Sequence, residues 1–166
     1  REKTIRHKGN DEIDLAYYLQ KNIFFATASL VYRKTVIENY PEWTTQLFAG
    51  DFSLRYMILS YGKIKYIDNV MCVYRKGIPG SWTDGKLTQK RIEREYFDNH
   101  LALQKINERT NHKYSREVIV KNKSLFGRYI ARSIALSNGK QKYILLLTNI
   151  FNLGLNGYKE IIKKFL

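Results

Sequence analysis

The sequence is short of cysteine, of acidic residues and of long apolar runs, and each shortage excludes a class of protein. Its one cysteine, Cys72, rules out an internal disulfide framework and a cysteine-based zinc site. No apolar run reaches the roughly 18 residues needed to span a bilayer, and the polar start REKTIRHKGN is unlike a signal peptide. The 3 histidines do not have metal-ligand spacing. We therefore expect a cytoplasmic protein whose own residues hold no metal.

Basic residues outnumber acidic ones by 29 to 15, and the excess is concentrated in the second half of the chain. Residues 86–166 carry 17 Lys and Arg against 6 Asp and Glu, whereas residues 1–85 carry 12 against 9. A basic surface attracts nucleic acid, anionic lipid headgroups or acidic substrates, and charge alone does not choose among them. The two parts differ in kind, so we expect two domains, 1–85 and 86–166.

Residues 1–85 alternate short helical and strand patterns, and a chain of 166 residues with 44% hydrophobic content is long enough to bury a core. Periodicity, caps and breakers predict five groups of elements. They are a helix from Asn10 or Asp11 to about Gln20, a buried strand at 28–32, a helical turn at 34–39, a largely buried helix at 51–61 and strands within 63–74. The expected fold class is α+β and rich in helix.

Residues 86–166 predict long helices instead, at 86–109 and 115–137. The first is expected to bury Ile92, Tyr96, Phe97, Leu101 and Ile106. The apolar segment that follows, 143–155, either packs against these helices or a partner chain or lies on a membrane, because amphipathic patterning serves both uses. Each Lys or Arg near an anionic membrane contributes about 1 kcal/mol of binding energy.

Asp51 follows Gly50 at the predicted start of a helix, and two roles suit that position. An aspartate there is most often a cap, favoured by the helix dipole and by unpaired backbone N–H groups. It is also well placed to be a general base that takes a proton from an acceptor hydroxyl. Gly50 lets a ligand approach the backbone, while Trp43 and Phe48 offer rings on which a sugar can stack.

A second candidate segment is the glycine-containing loop after Tyr74. Arg75 and Lys76 are adjacent cations, and such a pair can hold a diphosphate, with bidentate contacts from Arg and a point charge from Lys. Ser81 and Trp82 lie further along the same loop. An ordinary solvated loop has a similar composition, so the residues alone leave both interpretations open.

Together these segments resemble the acceptor-side half of the family-two glycosyltransferases, inverting GT-A enzymes that build bacterial surface polysaccharides. The matching parts are the TASLVYRK strand, the loop with Trp43 before Gly50-Asp51, the GKIKYID strand and VYRKGIPGSWT. The resemblance covers residues 20–85. It implies that residues 1–85 are the C-terminal portion of a GT-A (Rossmann-like) domain and that residues 86–166 are a basic helical extension.

The resemblance implies a role for each candidate residue. Asp51 matches the catalytic base, which activates an acceptor hydroxyl for in-line attack on the anomeric carbon of a nucleotide sugar. Trp43, Phe48 and Gly50 are then acceptor-binding residues. The segment that borders the donor diphosphate and closes over the substrate matches Tyr74, Arg75, Lys76, Ser81 and Trp82.

The chain departs from the family's pattern in two places. Lys76-Gly77-Ile78 stands where the family often has a histidine that approaches the metal or the diphosphate. Nothing before residue 20 resembles the nucleotide-binding βαβ unit or its Asp-x-Asp motif. The divalent metal of the family, Mg or Mn, is therefore expected to have its ligands mostly outside this chain.

From the resemblance and these two departures we expect that the chain is the C-terminal part of a larger transferase and is inactive by itself. Its substrates are a nucleotide-sugar donor and a saccharide or lipid-linked acceptor, and residues 86–166 place it peripherally at the inner face of the cell membrane. No nucleic-acid partner is expected. The alternative is a non-catalytic basic helical module that binds nucleic acid or a membrane surface. A steep salt dependence of nucleic-acid binding would favour that alternative.

Overall fold

The structure is a computed structural model, and it describes residues 12–21, 23, 25–48, 50–69, 78–80, 85 and 87–149. These residues divide into two compact units. The first takes the described residues of Arg1–Gln46 and Gly50–Lys86, and the second takes those of Leu47–Ala49 and Leu87–Leu166. Helices dominate both units, and a small two-stranded sheet completes the first. The helix-rich α+β class is confirmed at this level.

The first unit is built from short helices around one longer one. Its elements are β1 (Glu12–Ile13), α1 (Leu15–Gln20), a 3₁₀ helix (Thr27–Ser29), α2 (Thr35–Glu38), a 3₁₀ helix (Glu42–Gln46), α3 (Asp51–Tyr61) and β2 (Ile64–Lys65). β1 and β2 are antiparallel, with Ile13 opposite Ile64. The helical turn predicted at 34–39 and the helix predicted at 51–61 are confirmed.

The first helix begins later than the sequence predicts. Asp14, rather than Asn10 or Asp11, is its cap, because the Asp14 carboxylate accepts a hydrogen bond from the Tyr17 N–H at 2.7 Å. That bond satisfies one of the amides that a helix start leaves unpaired. The two residues before the cap extend and pair with β2 instead.

The buried strand predicted at 28–32 is wrong. The chain there forms a 3₁₀ turn followed by irregular backbone, and Val31 is 98% exposed. Both the Ser29 N–H and its hydroxyl donate to the Ala26 carbonyl, at 2.9 and 2.7 Å. Such local bonds compete with the pairing that a strand needs.

Aromatic packing forms much of the core of the first unit. The Tyr18 ring stacks on Phe25 with centroids 6.0 Å apart and meets Tyr56 edge-on at 5.8 Å. Phe52 meets Tyr56 in the same way, and Met57 is fully buried beside them on α3. Aromatic pairs in these geometries add about 0.5–1.5 kcal/mol beyond their buried area. α3 is therefore the element on which α1 and the segment after it pack.

The second unit contains α4 (Gln89–Arg109), α5 (Ser115–Leu136) and α6 (Lys140–Asn149). Thr88 caps α4 by accepting a bond from the Arg91 N–H. α5 packs against both of the other helices and is the central one. Within the described residues, no helix is long and apolar enough to cross a membrane.

α4 and α5 bury aliphatic and aromatic side chains between them. Tyr96 of α4 stacks on Tyr129 with centroids 4.9 Å apart and contacts Phe126 at 5.8 Å. Ile92 and Ile106 are buried, as the sequence predicts, but Phe97 is 61% exposed. The prediction that Phe97 is buried is wrong, because successive helical residues point in different directions and Tyr96 occupies the position that faces α5.

Replacing Leu103, which is fully buried on α4, tests this packing. Leu103→Ala should lower the free energy of unfolding by about 2–5 kcal/mol, since it removes buried methyl groups and leaves a cavity. Chemical denaturation measures the loss. Gln104→Ala, at the exposed neighbouring position, is the control and should change stability by less than about 0.5 kcal/mol. Equal stabilities for the two variants would contradict the packing.

Candidate functional site

Asp51 is the first residue of α3, and Gly50 before it is the N-cap. Because glycine has no side chain, no side-chain hydrogen bond caps the helix at this residue. The Gly50 carbonyl accepts bonds from the Leu54 N–H at 3.1 Å and the Ser53 hydroxyl at 2.8 Å. The Asp51 side chain is 42% exposed. The backbone of Asp51 is thus held in a helix, while its carboxylate remains partly exposed to solvent.

Arg55, one turn along α3, holds this carboxylate. Its Nη2 lies 3.1 Å from Asp51 Oδ2, and its Nη1 donates to the Phe25 carbonyl at 2.8 Å. The Arg55 side chain is only 9% exposed. No hydrogen bond joins Asp51 Oδ1 to another residue in the described part of the chain. The carboxylate therefore has one oxygen engaged and one open, and its partner is a guanidinium rather than the backbone amides of a simple cap.

Tyr40 and Ser53 form a polar pair beside this helix start. Their hydroxyl oxygens are 3.0 Å apart, and because Ser53 donates its proton to Gly50, Tyr40 is the donor of the pair. Burial is the main factor that raises the pKa of Tyr40, and smaller increases come from Tyr32 and, least of all, from the negative charge of Asp51. The hydrogen bond to Ser53 opposes the shift. Tyr40 is therefore a neutral donor near the carboxylate.

The sequence analysis did not identify Arg55 or Tyr40. The spacing of Arg55 four residues after Asp51 on a predicted helix was a usable signal, because such residues are neighbours on a helix surface. No comparable local signal exists for Tyr40. It lies 13 residues before Ser53, and only the tertiary fold brings the two hydroxyl groups together.

The two predicted acceptor-binding rings belong to different units. Trp43 is half-buried in the 3₁₀ helix Glu42–Gln46 of the first unit. Phe48 belongs to the second unit, where its N–H donates to Asp98 Oδ2 at 2.8 Å and the Arg94 guanidinium lies 5.2 Å from its ring centroid. The shared sugar platform that the sequence suggests stays a prediction.

The predicted donor-side residues Tyr74, Arg75, Lys76, Ser81 and Trp82 lie outside the described residues. Their role beside a diphosphate stays a prediction. Within the described part of the chain, no group of three or more His, Cys, Asp and Glu side chains is arranged to hold a metal ion. The expectation that the ligands of a divalent metal lie mostly outside this chain stays a prediction.

An open recess in the first unit is lined by Glu12, Asp14, Tyr17 and Lys63, away from Asp51. The charged side chains of the recess are already engaged in an ion pair and a helix cap. Lys63 Nζ lies 2.7 Å from Glu12 Oε2, and this hydrogen bond lowers the pKa of Glu12 and raises that of Lys63. Asp14 caps α1. The recess is therefore a weaker candidate for chemistry than the open carboxylate of Asp51.

No protein-family model, no curated protein and no solved structure matches this chain.

The Asp51–Arg55 contact can be measured by a double-mutant cycle with Asp51→Asn and Arg55→Met. We expect a coupling of about 0.5–2 kcal/mol in the free energy of unfolding, because the guanidinium is buried while the carboxylate is partly solvated. The matched control is Lys34–Glu38, a pair of the same spacing whose side chains are 86% and 50% exposed. Its coupling should be smaller. Equal couplings would show that Arg55 does not hold Asp51.

The raised pKa of Tyr40 predicts a loss of stability at alkaline pH. The native state holds this proton more tightly than the unfolded chain does, so the stabilisation is complete below the ordinary tyrosine pKa of about 10 and is lost as pH rises through the native value. Tyr40→Phe should therefore lose less stability than the wild type between about pH 9 and about pH 11. Denaturation at the two pH values gives the comparison. Equal losses would contradict the prediction.

Proposed function

We propose that this chain is the acceptor-side part of an inverting GT-A glycosyltransferase and that Asp51 is its catalytic base. The observation that carries the proposal is the carboxylate at the start of α3, with Oδ2 held by the buried Arg55 and Oδ1 without a hydrogen bond among the described residues. A general base needs an oriented atom within hydrogen-bond reach of the proton that it removes. The resemblance of residues 20–85 to family-two transferases supplies the reaction.

In this reaction Asp51 Oδ1 accepts the proton of an acceptor hydroxyl while the hydroxyl oxygen attacks the anomeric carbon of a nucleotide sugar. The new oxygen–carbon bond forms on one face of the sugar, and the bond to the diphosphate breaks on the opposite face. The electron pair of that bond leaves with the diphosphate, so the anomeric configuration inverts. Arg55 acts as a positioning residue, because it fixes the carboxylate without touching the acceptor.

The neighbouring residues support this assignment by what they offer a polyhydroxylated acceptor. Gly50 has open space where a Cβ would stand, and the Tyr40 hydroxyl, which donates to Ser53, adds a polar group that the Asp51 charge reaches. A ligand can approach the backbone at such a position. The proposed acceptor is a saccharide or a lipid-linked saccharide of bacterial surface polysaccharide synthesis, and the loop from Tyr74 to Trp82 is the proposed donor side.

A structural role for Asp51 competes with this proposal. A buried guanidinium needs a counterion, because an unpaired charge in the interior costs several kcal/mol. Asp51 supplies that charge to Arg55 whether or not it is also a base. The test must therefore separate loss of transfer from loss of folding, and it must use the full-length enzyme, since most of the expected donor site lies outside this chain.

Asp51→Asn in the full-length enzyme should lower sugar transfer by about 10²–10⁴-fold, the contribution of a positioned general base. The amide keeps the shape of the carboxylate but does not accept the proton. Transfer is measured with the nucleotide sugar and acceptor, donor binding by calorimetry, and folding by thermal melting. Donor affinity should stay within about twofold of the wild type, because a base on the acceptor side does not hold the donor.

Glu42→Gln is the matched control, an exposed acid on the 3₁₀ helix of the same unit. It should transfer sugar at the wild-type rate. Near-wild-type turnover by a folded Asp51→Asn variant would exclude Asp51 as the base. If that variant instead loses transfer only in proportion to a loss of folded protein, the carboxylate is the counterion of Arg55 and nothing more.

A further inference from the structure

Charge is unevenly divided among the three helices of the second unit. From Val118 to Asn149 the sequence contains 6 Lys and Arg and no Asp or Glu. The acids of the described second unit lie on α4, apart from Glu117 in the first turn of α5. Glu95 of α4 already binds Arg91 and Arg132. The surface formed by α5 and α6 is therefore positive with almost no compensating acid.

Among the described residues, one face of α5 is covered along only half its length. Ile130 and Ile134 are buried on this face, with Leu145 of α6 packed against them. At the N-terminal end, the same helical spacing places Arg116, Ile119, Val120 and Lys123, all of them exposed. Ile119 and Val120 are each 55% exposed. Two aliphatic side chains thus lie between two cations on a face that continues a buried one.

α6 presents a similar strip on its side away from α5. Lys140, Ile144 and Leu147 follow one another at helical spacing, and the two aliphatic residues are 59% and 72% exposed. Since α6 lies on the covered half of the α5 face, side chains that point away from α5 face the same direction as the exposed half of α5. We call these seven residues the basic aliphatic surface: Arg116, Ile119, Val120, Lys123, Lys140, Ile144 and Leu147.

We propose that the basic aliphatic surface docks on an anionic lipid bilayer, with its four aliphatic side chains at the boundary of the headgroups and acyl chains. The cations then contact lipid phosphates. This combination of an apolar strip and flanking Lys or Arg is what interfacial binding requires, and its strength grows with buried apolar area and with anionic lipid. The inference concerns where the protein binds and is independent of the proposed sugar transfer.

The chemistry of the surface favours lipid over other partners. Proteins that bind single-stranded nucleic acid stack bases on exposed aromatic rings, but the exposed apolar residues here are aliphatic. The rings of Tyr96, Phe126 and Tyr129 pack against one another between α4 and α5. A second copy of the chain would bring two like-charged surfaces together, and each whole chain carries a net charge of +14.

The test is cosedimentation of the intact chain with vesicles of phosphatidylcholine alone and of phosphatidylcholine mixed with phosphatidylglycerol. We expect at least about tenfold tighter partitioning into the anionic vesicles, with a decrease as salt rises. The double variant Ile119→Asp/Val120→Asp should lower that partitioning by about tenfold or more. Arg116→Glu/Lys123→Glu should do the same through charge and provides a second, independent disruption.

Matched controls lie on α4, on its side away from α5. Phe97→Asp replaces an exposed apolar residue and Lys90→Glu an exposed cation. Both should keep partitioning within about twofold of the wild type, because they change net charge and hydrophobicity without touching the surface. Thermal melting of every variant confirms that it is folded.

Five outcomes overturn the proposal, and four of them come from the binding assays. They are equal partitioning into neutral and anionic vesicles, no effect of folded surface variants, a loss in the α4 controls as large as in the surface variants, and tighter binding to duplex DNA or RNA than to anionic vesicles. Self-association that Ile119→Asp/Val120→Asp abolishes also overturns it and assigns the surface to a second copy. None of these results bears on Asp51, so docking and sugar transfer stand or fail separately.

Discussion

The guanidinium of Arg55 is a cation placed inside the first unit, where few water molecules can solvate it, so protein groups must replace the water. One guanidinium nitrogen donates a hydrogen bond to the Phe25 carbonyl, and another donates to the Asp51 carboxylate. These two bonds connect the start of α3 to the segment after α1, beside the stacked rings of Tyr18 and Phe25. Because a buried charge is costly without a counterion, the position of the guanidinium determines where the carboxylate lies. The same contact that stabilises the core orients the candidate base.

This arrangement gives Asp51 a fixed position and also an oxygen that can accept a proton, two properties that are usually in conflict. A carboxylate held by an arginine on both oxygens would be well ordered but unable to accept a proton readily. Here Arg55 engages Oδ2, and no hydrogen bond within the described residues engages Oδ1. The Tyr40 hydroxyl is bonded to Ser53 and stays protonated to a higher pH than an ordinary tyrosine, because burial raises its pKa. The proposed chemistry depends on this asymmetry of the carboxylate.

The second unit shows how one helix can serve two kinds of surface. α5 meets α4 through aromatic rings and the Glu95–Arg132 ion pair, and it meets α6 through Ile130, Ile134 and Leu145. The remainder of that second face has no covering helix among the described residues and carries cations beside aliphatic side chains. Amphipathic patterning by itself does not distinguish a packed face from a docking face. The difference between a packed face and a docking face depends on whether a neighbouring helix is long enough to cover that face.

Local signals in the sequence determined the long elements. α3 begins at Asp51 and ends before Gly62, and α5 spans Ser115–Leu136, because caps, breakers and apolar spacing act over one or two turns of chain. The sequence also determined that a carboxylate opens α3. Tertiary structure decided the exposure of Phe97 and the bond of Arg55 to the Phe25 carbonyl. Those outcomes depend on which surfaces meet, and contacts such as Arg55 with Phe25 join residues 30 positions apart that no local pattern connects.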